Sequence, residues 1–352
     1  MRSGTHSDIG SADKVRFLAS AAACGDGAAP ETIETHMSWV FLCRTHVLKL
    51  KKPVRYDFLD FSTVAARELD CREEVRLNRR LAPDVYLGVA PLVAGADGCL
   101  RIGALDPMRD GIGAHAAAHE AGIVDWLVWM RRLPAAQMLD RRLAAATVTE
   151  ADIDRLADRL ARFYRTAPAA AVDGAAYLAR QAHAQQINRA VLLDARFAHP
   201  ASECALDRFD RALRAHGALL AARAARLRDG HGDLRPEHVA LAAEPLVIDC
   251  LEFNRTLREV DPFDELAYLG LECALLGAAW IGPRLVDRIA AALDDRPPPQ
   301  VLALYTAGRA LLRARLAAAH LLDAEVRTPE RWLPQARRYV ALANEALVVL
   351  DA

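Results

Sequence analysis

The chain has no surplus of positive charge. Its 352 residues carry 45 Lys and Arg against 46 Asp and Glu, a formal net charge of −1. A dedicated nucleic-acid binder needs a basic face to neutralise phosphates, so that partner class is not expected. No run of about 18 apolar residues occurs, which predicts neither a membrane-spanning helix nor a membrane partner. The seven Cys are scattered, with no C-x-x-C and no metal-like spacing. That scatter predicts reduced thiols and a cytoplasmic protein rather than a disulfide framework. Phe17–Cys24 (FLASAAAC) has the outline of a secretory cleavage site, but its apolar run is short, mostly Ala and well inside the chain, so no leader is expected. Lysine is scarce. Arg supplies all the positive charge except Lys14, Lys49, Lys51 and Lys52, and three of these fall within LKLKK, residues 48–52. Where guanidinium is used almost everywhere, clustered ammonium groups hint at a task that needs a compact point charge.

What is present reads as two regions. Hydrophobic residues make up 53% and charged residues 26% of the chain, an ordinary globular balance. Its length predicts about two units. Residues 1–133 form a β-rich lobe. A short helix from about Asp13 to Cys24 leads into ETIETH, SWVFLC and HVLKL, runs with β-branched or aromatic content, the last two joined at Arg44-Thr45 as a hairpin. Residues 62–82 read as a helix with Ser62 as N-cap and Leu69, Val75, Leu77 and Leu81 on its apolar face. VYLGVAPLVA, CLRIGAL and IVDWLVWMRRL are further strands. The Gly/Ala/His-rich segment 105–121 is expected to be a surface loop, although His115 and His119 stand at i, i+4. From residue 134 to 352 Ala/Leu/Arg-rich helical periods dominate, interrupted by the strand-like VALAAEPLVID.

That interruption belongs to the sharpest signal, HGDLRPEHVALAAEPLVIDCLEF, His231 to Phe253. Asp233 follows a Gly in a polar loop, where a carboxylate can take a proton from an incoming hydroxyl. Asp249 ends an apolar strand sixteen residues on. Two such carboxylates with Arg235 close by suit a divalent cation and a polyphosphate.

H-G-D-L-R-P-E-H resembles the catalytic loop of aminoglycoside phosphotransferases, kinase-fold enzymes that act on small molecules. The resemblance implies an α+β, bilobal protein-kinase-like fold and transfer of the ATP γ-phosphoryl group to a hydroxyl of a small-molecule acceptor. It implies Asp233 as catalytic base, Arg235 as the charge beside the transferring phosphoryl, and Asp249 as a ligand of Mg2+. DPFDELA, Asp261 to Ala267, resembles the family's D-P-x-x-D-L-A segment, whose second Asp, here read as Asp264, steadies the catalytic loop. Lys49 matches the strand Lys that holds the α- and β-phosphates, and Glu74 the helix Glu that pairs with it. Lys51 and Glu73 are the register-shifted alternatives, because residues two apart share a strand face. Thr35–Ser38 occupies the place of the phosphate-covering loop without its Gly-rich pattern, leaving backbone N–H groups and the Ser38 hydroxyl. The 124–134 segment has the place of the interlobe linker, with Met130 against adenine.

A longer match, ETHMSWVFL through LNRRLAPDVYLGVAPL with HGDLRPEH and IDCLEFN, resembles an uncharacterised bacterial group that pairs such a domain with a P-loop kinase-like domain. No G-x-x-x-x-G-K-[ST] occurs in these 352 residues, so nucleotide chemistry is expected at the kinase-like site. One departure stands out. The family's second metal ligand, an Asn, is replaced by His238, which suits Mn2+ better than Mg2+. With the Gly-free phosphate loop, this motivates a second expectation, a nucleotide-binding pseudokinase with a regulatory or partner-binding role. Glu252, Arg309 and Arg313 are expected to be structural. The sequence leaves the acceptor and the oligomeric state unassigned.

Overall fold

The computed structural model describes residues 9–56, 59–108, 122–322, 326 and 328–350. His115 and His119 lie outside them. The chain divides into two compact units, Met1–Gln137 with Leu246–Arg255, and Met138–Pro245 with Thr256–Ala352.

The first unit is built on a six-stranded antiparallel sheet in the order β1-β2-β3-β8-β6-β7. Its strands are β1 (Glu31–Glu34), β2 (Ser38–Leu42), β3 (His46–Lys51), β6 (Tyr86–Ala94), β7 (Leu100–Ile102) and β8 (Ile123–Arg131), while β4 (Arg55–Tyr56) and β5 (Leu59–Asp60) form a separate small pair. The period of two in β3 sends Leu48 and Leu50 to one face and Val47, Lys49 and Lys51 to the other. Leu48 and Leu50 pack with Phe41, Leu92 and Leu127 beneath Leu18 and Ala23 of the N-terminal helices α1 (Ser11–Leu18) and α2 (Ala21–Cys24). Leu18, Ala23 and Cys24 of the FLASAAAC segment are therefore core. Cys24 and Cys43 are joined by a disulfide, which corrects the expectation that all thiols are reduced. Cys43 directly follows β2, which packs under α2, so two cysteines 19 residues apart meet across that contact.

The opposite face receives α3 (Val64–Asn78). Its N-cap is Thr63, whose hydroxyl accepts the Ala66 N–H at 3.1 Å, while the predicted cap, Ser62, hydrogen-bonds Asp60. Leu69 is 65% exposed, against the predicted apolar face. The buried residues are Arg67, Cys71, Glu74, Val75, Leu77 and Asn78, half of them polar. Each polar member has a partner. Arg67 clasps Asp125 of β8 with two nitrogens, at 2.7 and 2.9 Å, and Lys14 reaches the same carboxylate at 2.8 Å. Asn78 donates to the Glu74 carbonyl and accepts the Cys250 N–H, both at 2.9 Å. Leu246 and Ile248 pack with Val75, Val128 and Met130, so the distal stretch 246–255 belongs to this unit.

The second unit is helical: α4 (Leu139–Ala144), α5 (Glu150–Thr166), α6 (Gly174–Leu192), α7 (Pro200–Ala222), α8 (Arg255–Arg258, whose first residue falls in the other unit), α9 (Pro262–Leu275), α10 (Ile281–Leu293), α11 (Pro299–Ala319) and α12 (Pro329–Leu347). Its core is an Ala/Leu stripe in which Leu206 and Phe209 of α7 meet Ala307, Leu311 and Ala314 of α11 and Tyr339 and Ala343 of α12. The short strands Arg228–Asp229 and Glu259–Val260 pair antiparallel, fixing the chain just before His231. No helix among the described residues is long and apolar enough to cross a membrane.

Candidate functional site

Glu74 is fully buried and takes two ammonium groups. Lys49 Nζ donates to its Oε1 at 2.9 Å and Lys51 Nζ to its Oε2 at 2.7 Å. The sequence posed Lys49 and Lys51 as alternatives, yet α3 lies over both. They differ in their other partners. Lys49 donates to Asp249 Oδ1 at 3.0 Å, and the Asp249 side chain is 48% exposed. Lys51 is sealed, with Asp70 at 2.6 Å and Glu252 at 2.5 Å. Only Lys49 therefore joins the buried carboxylate to a solvent-facing one. Glu73 points elsewhere, to Arg76 on its own helix. Burial pulls the Lys49 ammonium toward neutrality, but Asp249 and Glu74 outweigh it and hold its pKa well above the ordinary value. For Glu74 burial is likewise overcome by the two lysines, which keep it ionised.

Asp249 itself has a left-handed backbone, φ +61°. Such geometry is uncommon outside glycine, though Asp tolerates it, and the surrounding bonds enforce it here. The Asp249 N–H donates to the Tyr86 hydroxyl at 3.1 Å, and the next N–H is held by Asn78.

Glu252 carries the surplus negative charge of this arrangement. Three carboxylates, those of Asp70, Glu74 and Glu252, surround Lys51, and burial, offset in part by Lys51, pushes Glu252 up to about 7. The ordinary value is 4.5. The folded chain thus keeps a proton that the unfolded chain releases, and its stability falls as pH rises from about 4.5 to about 7. Glu252→Gln should remove that part of the slope, of order 1–3 kcal/mol. Urea midpoints of both proteins at pH 5 and pH 8 check it, and parallel losses would contradict the assignment.

The second unit carries the HGD loop. Gly232 has φ +88°, a left-handed turn that lets the N–H groups of His231 and Gly232 both converge on Glu265 Oε1, at 2.8 and 2.5 Å. Glu265 is buried and also accepts the Tyr164 hydroxyl at 2.8 Å. A Cβ at Gly230 would stand 2.9 Å from the same carboxylate. The residue that braces the loop is thus Glu265, not Asp264. Asp264 is clasped by Arg309 with two nitrogens at 2.8 Å, and Asp261 caps α9 while bonding Arg223 and Tyr305. Counting the D-P-x-x-D-L-A spacing places its second acid at position 265, where this chain has Glu, so the signal was present in the sequence.

Asp233 is held on several sides. Its Oδ1 accepts the Tyr268 hydroxyl at 3.2 Å, its Oδ2 lies 3.0 Å from Arg235, and its N–H faces His231 Nδ1 at 3.3 Å. His238 is fully engaged: Nδ1 lies 2.8 Å from the Asp233 carbonyl and Nε2 lies 3.3 Å from Arg235. Both ring nitrogens of His238 thus face protein groups, and a cation at Nε2 would take the place of Arg235. Among the described residues no cluster of three or more His, Cys, Asp or Glu could hold a metal ion. The hard, half-exposed carboxylate of Asp249 does fit Mg2+, which keeps several waters and takes one or two protein carboxylates.

Ser38 is 3% exposed, and its backbone N–H and carbonyl both bond the Thr35 hydroxyl, closing the β2 turn. Met130 is buried in the sheet, opposite Val47 on one side and Tyr86 on the other.

No family model matches the chain. Uncharacterized proteins of Mycobacterium tuberculosis and Mycobacterium bovis are 31% identical over 290 residues, 80% of this chain and 53% of theirs. The chain thus spans about half the length of the curated relatives it matches. Among solved structures, a choline/ethanolamine kinase family protein from Mesorhizobium loti matches with a TM-score of 0.52 at 16% identity, over 96% of this chain and 94% of that one. A glucosamine kinase matches with a TM-score of 0.50 at 15% identity, over 97% and 83%. At these identities the likeness concerns the fold.

Proposed function

We propose, for a chain with the α+β kinase-like fold, ATP-dependent transfer of a phosphoryl group to a hydroxyl of a small molecule. The carrying observation is the Lys49 ammonium held between buried Glu74 and half-exposed Asp249. Ion-paired structural lysines are commonly satisfied within the protein, as Lys51 is. Lys49 retains one partner on the solvent side that a polyphosphate and its cation can displace. In this reading Lys49, braced by Glu74, binds the α- and β-phosphates, and Asp249 holds Mg2+ or Mn2+. The metal, when bound, neutralises phosphate charge. The apolar surface of Val40, Leu42, Val47, Met130 and Ile248 offers the adenine a seat. Ser38 has no part.

Asp233 receives the acceptor's hydroxyl proton. The oxygen so released forms the new bond to the γ-phosphorus, the bond from that phosphorus to the β–γ bridging oxygen breaks, and ADP leaves. Tyr268 and Arg235 fix the carboxylate, and Arg235 adds positive charge where the transferring group develops negative charge. His238 holds Arg235 and the Asp233 carbonyl in place. The fold's solved relatives are named for kinases of choline, ethanolamine and glucosamine, all small hydroxylated amines, which supports a small acceptor.

ATP with Mg2+ or Mn2+ should raise the melting temperature, and Asp249→Ala should abolish the metal-dependent part of that rise. An unchanged rise in Asp249→Ala would remove Asp249 from the site, and no response to any nucleotide would overturn the proposal. One observation favours a second reading. With both His238 nitrogens engaged, the loop offers no second ligand, as in a nucleotide-binding pseudokinase. Stabilisation by nucleotide without turnover on a panel of hydroxylated metabolites would select it.

A further inference from the structure

The helical unit contains a cavity of about 320 Å³ between α6, α11 and residues 256–260, and no residue of the HGD loop lines it. Tyr177, Phe209, Leu257, Leu304 and Tyr305 give it an apolar wall. Its charged lining is unbalanced. Arg180 pairs with Glu259 at 2.9 Å and Arg309 is matched to Asp264, so both carboxylates are consumed. Arg315 also lines the cavity and is half-buried, yet it has no ion-pair or hydrogen-bond partner among the described residues. Burial pulls its guanidinium pKa down with no acid to offset it. A guanidinium in that position is costly to desolvate unless an anion meets it.

A second group points the same way. Asn188 of α6 lines the same cavity and is 3% exposed. Its amide nitrogen donates to Gln185, but its Oδ1 is buried without a partner. Buried acceptors are nearly always satisfied, and one left open beside a cavity calls for a donor from a ligand. An apolar body, one surplus cation and one open acceptor together describe a ligand.

We propose that this cavity binds a small amphipathic organic anion, its carboxylate or phosphate on Arg315, its apolar part against Tyr177, Phe209 and Leu304, and a hydroxyl or amine on Asn188 Oδ1. The inference concerns binding alone and stands whether or not Asp233 acts as a base.

The test uses three probes of one shape, 3-phenylpropionate, 3-phenylpropan-1-ol and 3-phenylpropylammonium, titrated without nucleotide into the whole chain by calorimetry or ligand-observed NMR. The propionate should bind at least five-fold more tightly than the ammonium, and the preference should shrink as salt is raised. Arg315→Gln should abolish the preference and Arg315→Lys should retain part of it, with melting temperatures confirming that both variants fold. Equal propionate affinity in Arg315→Gln, a preference for the ammonium, or no saturable binding of any probe would each overturn the proposal. None of these outcomes depends on phosphoryl transfer, so failure here is distinct from failure of the kinase reading.

Discussion

Asp233→Ala should lower turnover by about a thousand-fold, the usual scale for removing a general base, while ATP affinity stays within a few-fold. The separation follows from where the proposed contacts lie. The nucleotide's phosphates are assigned to Lys49 and Asp249, whereas Asp233 touches Tyr268, Arg235 and the loop backbone. The variant keeps the loop, because the His231 and Gly232 N–H groups rest on Glu265 and not on the Asp233 side chain. Steady-state rates on an acceptor found by a metabolite phosphorylation screen, together with nucleotide titration, supply the measurement. Full turnover in Asp233→Ala would end its assignment as base.

Glu74→Gln should destabilise the first unit by about 3–5 kcal/mol, the usual cost of breaking a buried ion pair by removing one partner. Two ammonium groups lose their shared counter-charge at once. Lys51 would keep Asp70 and Glu252, but Lys49 would keep only Asp249, outside the buried side. For a unit of this size the loss lowers the melting temperature by about 6–20 °C. Chemical denaturation of wild type and Glu74→Gln tests it, and a difference under about 1 kcal/mol would show that the lysines are satisfied without Glu74.

The lobes were legible because their periodicities differ so sharply. Alternation in HVLKL and the Ala/Leu stripes of α7, α11 and α12 leave little choice of element. The α3 helix was harder. Val75, Leu77 and Leu81 are buried as expected, but the inward side also uses Arg67, Glu74 and Asn78, and hydrophobicity alone misses these and counts Leu69 as core. The Lys49 and Lys51 ambiguity was real, since both side chains meet Glu74, and only their remaining partners distinguish them. Residue type alone does not show what surrounds a side chain: the Ser38 backbone is tied to the Thr35 hydroxyl, and both His238 ring nitrogens face protein groups. Glu265, rather than Asp264, stands where D-P-x-x-D-L-A has its second acid, and the two N–H groups that converge on it show the role. The Cys24–Cys43 pair had no spacing signature, because their approach depends on packing between α2 and β2.

The return of residues 246–255 to the first unit has a consequence during synthesis. The acids that meet Lys49 and Lys51, Asp249 and Glu252, lie 200 and 201 residues further along. At ordinary ribosome speeds of about 5–20 residues per second, roughly 10–40 s separate the emergence of the lysines from that of these partners. Throughout that interval the nascent sheet lacks part of its charge balance, and Ile248 is not yet there to cover Val75 and Met130. The amino-terminal half thus matures only after much of the helical half has left the ribosome.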